Sequence, residues 1–72
     1  MKILILGAGQ VGTSVASALV RENHDVTVID TDAERLRELS EKIDLQAVHG
    51  FAAHPSALAR GGAEDADVLV AV

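Results

Sequence analysis

The sequence has no cysteine, no tryptophan and no tyrosine, and only one proline and one phenylalanine. Without cysteine, neither a disulfide framework nor a thiolate metal site can be built. A chain of 72 residues with neither must rely on compact, regular structure for its stability. One proline, 49% hydrophobic residues and 24% charged residues exclude collagen-like and disordered classes. Basic residues are also scarce: 6 Lys and Arg stand against 11 Asp and Glu, a net charge of −5. That balance speaks against a nucleic-acid surface, which needs a basic patch to release counterions, and against a polybasic membrane anchor. No apolar run approaches the ~20 residues of a membrane span, and Met1 to Gly7 has no room for the apolar region and cleavage site of a signal peptide. The expectation is a soluble, cytoplasmic chain with no direct membrane insertion. Any anion it binds must be held by backbone dipoles rather than by a basic surface.

What is present is an alternation of apolar runs and amphipathic stretches. Ile3 to Leu6 is an unbroken aliphatic run of the kind found in parallel strands covered on both faces. In residues 11–22, Val11, Val15, Ala16, Leu19 and Val20 share one helical stripe, opposite Gln10, Thr13, Ser14, Ser17 and Arg21. Val26 to Ile29 is a second strand. Thr31 and Glu34 have the spacing of a capping box. The helix after them turns Leu36, Leu39 and Ile43 inward and carries a Glu38–Lys42 pair. Residues 45–49 read as a weaker strand, and Pro55 opens a short helix over 55–60 that Gly61-Gly62 ends. Val68 to Val72 is a final aliphatic strand.

The βαβαβαβ order predicts an α/β fold with a Rossmann-like parallel sheet in strand order 3-2-1-4. On composition the aliphatic strands 3–6 and 68–72 belong inside the sheet and the polar-tinged 45–49 at an edge. The predicted order nevertheless leaves 68–72 at an edge without charge, proline or bulge. The expectation is therefore the N-terminal part of a larger dinucleotide-binding domain, prone to self-association through that edge.

Gly7-Ala8-Gly9-Gln10-Val11-Gly12 is a G-x-G-x-x-G sequence between a strand and a helix, the context in which this short pattern becomes specific. Gly7 permits the tight turn, Gly9 lets backbone approach a pyrophosphate, and Gly12 lets the helix pack closely on the strand. Free N–H groups at the helix start then hold the phosphates. Asp30 follows Gly12 by 18 residues, at the end of the second strand. A carboxylate there can accept both ribose hydroxyls and repels a 2′-phosphate, which favours NAD over NADP. Arg35, close by in sequence, keeps NADP open as the alternative, and Thr31 beside Asp30 joins the candidate site. The plainer alternative is a glycine turn that packs a helix on a sheet, with Asp30 only leading into the next helix. Asp32 is assigned to the helix N-terminus rather than to a ligand.

His24, His49 and His54 lack a nearby third ligand or nucleophile and are read as solvated or loop-packing side chains. For Phe51, stacking beside an adenine and simple loop packing stand level.

Three segments, KILILGAGQVG at 2–12, VTVIDTDAERL at 26–36 and HPSALARGGAEDADVLVAV at 54–72, together resemble the N-terminal nucleotide-binding domains of bacterial Trk potassium-uptake regulators, the KTN or RCK-N class. AEDADVLVAV is the most discriminating part, since dehydrogenases share only the glycine loop and the acid. The resemblance implies a non-enzymatic domain that binds NAD+ or NADH. It would sit peripherally on the inner face of the cell membrane, in a homo-oligomeric assembly with a membrane-embedded potassium transporter or channel subunit. Nucleotide occupancy would reshape that assembly and so change potassium flux. In the same terms Gly7 to Gly12 would hold the pyrophosphate and Asp30 the adenine ribose. Two positions depart from many relatives: Gly50-Phe51 replaces a Gly-Asp near the adenine, and Gln10 stands where ATP-binding relatives often carry arginine, which favours a dinucleotide over ATP. Two other readings stay open on the residues alone: the cofactor-binding half of an NAD-dependent oxidoreductase, and a flavin-binding half-domain.

Overall fold

The computed structural model describes residues 1–51 and 54–72. In chain order it contains β1 (Lys2–Leu6), α1 (Gln10–Arg21), β2 (Asp25–Asp30), α2 (Ala33–Lys42), β3 (Gln46–His49), α3 (Pro55–Arg60), a 3₁₀ turn (Ala63–Asp65) and β4 (Val68–Ala71). The four strands form one parallel sheet in the order β3-β2-β1-β4, as the alternating pattern predicts.

The unbroken aliphatic run of β1 follows from its two covered faces. Ile3 and Ile5 pack with Val26, Val28, Ala16, Leu36 and Leu39 on the side of α1 and α2. Leu4 points the other way, to Ile29 of β2 and Ala57 of α3. Successive strand residues face opposite sides, so a strand buried on both faces must be apolar at every position. Register is fixed by the same pattern, with Ile3 beside Val26, Ile5 beside Val28 and Ile3 beside Val68.

The buried line of α1 runs through Gly12 and Ala16, so the helix approaches the sheet on its small residues, flanked by Val15, Leu19 and Val20. Val11, expected on the inward stripe, is 63% exposed, because Gly12 occupies the inward position of that turn and Val11 is rotated about 100° from it. In α2, Leu36 and Leu39 are buried and Ile43 packs against the same core, as predicted.

Two further expectations are corrected. The cap of α2 is Asp32 rather than Thr31: its side chain accepts from the N–H groups of Glu34 (3.1 Å) and Arg35 (3.2 Å). The reason is the preceding turn, in which Asp30 Oδ1 accepts from Asp32 N–H at 2.7 Å and so delays the helix start by one residue. Among the described residues the ion pairs of α2 are Arg35–Asp32 and Arg37–Glu34, not Glu38–Lys42; an exposed pair of that kind is too weak to fix two long side chains. In this sheet β4 lies at the edge, as the predicted order requires, with Val68 39% and Leu69 50% exposed. No helix among the described residues is long and apolar enough to cross a membrane.

Candidate functional site

The carboxyl ends of β1, β2 and β3 converge on the glycine loop, and two of its glycines are required by the chain itself. Gly7 has φ +122°, and a Cβ there would stand 2.8 Å from the Val72 carbonyl oxygen; side chains strain in that backbone region. A Cβ on Gly12 would collide with the Gly7 carbonyl oxygen, so α1 reaches the strand end only because position 12 has no side chain. Gly9 is different. Its φ is −71°, and the nearest atom to a Cβ would be Arg35 Nη1 at 3.9 Å. Nothing in the folded chain demands glycine there, and the space before it is open.

That open space lies at the start of α1. Gly9 is the N-cap and supplies no side-chain hydrogen bond, and the first turn of α1 carries no acidic residue. The first intrahelical bond runs from Thr13 N–H to Gly9 C=O at 2.8 Å, so the amides of Gln10, Val11 and Gly12 have no partner within the helix. By contrast, Asp32 caps α2. Of the two helices on this face of the sheet, α1 presents bare N–H groups and the positive end of its dipole, the chemistry that holds an anion.

Asp30 closes the other side. Its Oδ2 accepts from Ala8 N–H at 2.6 Å and its Oδ1 from Asp32 N–H at 2.7 Å, tying the glycine loop to the β2–α2 turn. Burial alone would push its carboxyl up. The N–H groups of Asp32 and Ala8, the nearby Arg35 guanidinium and Thr31 N–H outweigh burial and hold it below its ordinary value. The carboxylate is therefore ionised at neutral pH and acts only as an acceptor.

Gly7, Asp30, Thr31 and Phe51 come together in one cleft of about 200 Å³, completed by Leu6, Ile29 and Gly50. Ala8, Gly9 and Gln10 line a second groove of about 350 Å³ between α1 and α2, with Thr13, Ser14, Arg35 and Lys42. The glycine loop contributes to both hollows. Val11 lines neither. Phe51 is 55% exposed, its ring edge-on to His54 with centroids 5.3 Å apart. His49 Nε2 lies 2.9 Å from the Thr31 carbonyl oxygen, and His24 lies 3.8 Å from Glu22. Sequence reasoning missed Arg60, which donates to the His49 carbonyl oxygen at 3.1 Å, beside Gly50. Arg35, noted in the sequence only for its nearness to Asp30, also reaches Gly9.

The TrkA-N domain model matches residues 3–72. The chain is 60% identical over 72 residues to the Trk system potassium uptake protein TrkA of Vibrio alginolyticus and 56% identical over 72 residues to that of Halomonas elongata. All of this chain is covered in both alignments, and 16% of each relative. Among solved structures, the TrkA-N domain of the inner membrane protein ybaL from Escherichia coli superposes with a TM-score of 0.89 at 30% identity, covering 97% of this chain and 51% of that one. A glycine loop on a sheet of order 3-2-1-4, matched by sequence across its length and by an experimental fold, places the chain in the TrkA-N family.

Proposed function

We propose that this chain is an NAD(H)-binding regulatory domain of a bacterial Trk potassium uptake system, acting through nucleotide-dependent conformational change rather than catalysis. One observation carries the nucleotide reading: bare amides at the start of α1 face an opening that only Gly9 leaves clear, next to a strand-end carboxylate. The potassium reading rests on relatives such as the Trk system potassium uptake protein TrkA of Vibrio alginolyticus, of which this chain spans 16%.

The residues fit a dinucleotide. Gly9 and the amides of Gln10 to Gly12 would take the pyrophosphate, Asp30 with Thr31 the adenosine ribose, and Phe51 the adenine face. The carboxylate of Asp30 disfavours a ribose 2′-phosphate, and Gln10 offers no charge to a triphosphate. Asp30 also supplies a mechanism. Ribose hydroxyls compete with Ala8 N–H for Oδ2, so binding loosens the link between the glycine loop and the β2–α2 turn. A ligand that alters this link differently in two states shifts their balance, and a membrane-embedded potassium transporter or channel subunit in a homo-oligomeric complex would read that shift from the cytoplasmic side.

Calorimetric titration of NADH, NAD+, NADPH and ATP into the chain tests the reading. It requires NADH or NAD+ to bind tightest and Asp30→Ala to remove that preference. Tighter ATP binding, or indifference to Asp30→Ala, contradicts it.

A further inference from the structure

We infer that Arg35 is the side chain that reads the diphosphate of the bound nucleotide, an assignment that rests on the glycine loop being the phosphate seat. Arg35 stands in the first turn of α2, and its Nη1 reaches 3.9 Å from the point at which Gly9 would carry a Cβ. Gly9 marks the one place where the loop leaves space that its own fold does not use. Arg35 shares the groove there with Ala8, Gly9 and Gln10.

Its present attachment is loose. Among the described residues its ion pair is with Asp32, Nε to Oδ2 at 3.5 Å, with the two side chains 59% and 48% exposed. An exposed pair of this kind holds a side chain weakly, so the guanidinium is free to exchange Asp32 for a better anion. A diphosphate is that anion, because the planar fork matches two phosphate oxygens at once.

The local charge favours such a cation. Asp30, Asp32 and Glu38 stand around the loop and the groove, and their carboxylates oppose an incoming dianion. The dipole of α1 offers only about half a unit of positive charge. Of the other cations near this end of the sheet, Arg60 is bonded to the His49 carbonyl oxygen and Arg37 is not among the residues lining the groove. Lys42 lines it from the last turn of α2, but it is Arg35 that reaches Gly9. The position over Gly9 points to the diphosphate; because Arg35 also lies near Asp30, where a ribose 2′-phosphate would attach, the NADPH arm of the test separates the two.

The test compares wild type with Arg35→Gln, Arg35→Lys and the charge-matched control Arg37→Gln. NADH, NADPH and adenosine are the probes, titrated at two salt concentrations. Arg35→Gln is expected to weaken NADH about tenfold or more, the loss of a charge-assisted hydrogen bond. It should leave adenosine unchanged and flatten the salt dependence of NADH binding. Arg35→Lys should recover part of the affinity, and Arg37→Gln should match wild type. The assignment is overturned if Arg35→Gln binds NADH within twofold of wild type, if Arg37→Gln loses as much, or if the loss is confined to NADPH. A wild-type chain that binds no NADH removes the phosphate seat itself and the Arg35 role with it. That outcome differs from a wild type that binds and an Arg35→Gln that binds equally well.

Discussion

Two glycines of the loop answer to the fold and the one between them, on the proposed function, to a ligand, and substitution separates the two demands. Gly12→Ala drives a Cβ into the Gly7 carbonyl, and overpacking against backbone costs about 1–3 kcal/mol, read directly as a drop in unfolding midpoint in urea. Gly9→Ala meets only the tip of a flexible arginine, at ordinary contact distance. Its stability should fall by no more than about 1 kcal/mol, the preference for glycine over alanine at an N-cap, while NADH affinity falls because the new methyl group stands where backbone must approach phosphate. Equal destabilisation by both would mean that Gly9 is a folding glycine too. Asp30 makes a residue-scale prediction in pH. Its pKa is lowered in the folded chain, so its contribution to stability is fully present above the ordinary carboxylate range. That contribution is lost as pH falls through the lowered value. An acid titration of stability should be flatter for Asp30→Asn than for wild type. The glycine spacing and the acid were legible in the sequence because each is tied to one backbone position. For Arg35 only its nearness to Asp30 was legible; that it reaches Gly9 depends on a rotamer that extends to another element.

At the scale of elements, the helices and strands were legible because a sheet covered on both faces leaves continuous apolar runs and its helices leave stripes. Boundaries and caps were less so. Thr31 and Asp32 are both competent N-caps, and the choice between them is made by Asp30, whose side chain holds the Asp32 N–H. Asp32→Ala should therefore cost about 1 kcal/mol of stability and Thr31→Ala about 0.5 kcal/mol or less, as measured by paired denaturant melts. The reverse order would restore the capping box at Thr31. Val11 illustrates a second limit. Its hydrophobicity suggests an inward position, but the line that touches the sheet is set by where the smallest residues allow closest approach, and that line is Gly12 and Ala16. The 3₁₀ turn at Ala63–Asp65 left no such periodic signal, being a single turn.

For the whole molecule, the strand order was legible from alternation and handedness, and it leaves β4 at an edge with Val68, Leu69 and Val72 exposed. A flat aliphatic edge without charge or proline is a template for pairing with another strand. Sedimentation of the chain should show concentration-dependent association, reduced by Leu69→Lys. A monodisperse monomer across the accessible range would contradict that expectation. The acidic balance of −5 bears on the site at this scale too. It denies the molecule a broad field for anions and leaves attraction to the local dipole of α1 and to Arg35.

The central claim, that a dinucleotide sits on the glycine loop with its ribose at Asp30, is tested most directly by amide chemical-shift mapping of the chain during NADH titration. Saturable shifts are predicted for Gly9, Gln10, Val11 and Gly12, together with Asp30, Thr31 and Phe51, while Lys2 and Asp67 at the opposite end of the sheet stay unmoved. Saturable shifts that spare the glycine loop, or no shifts at all, would contradict the account.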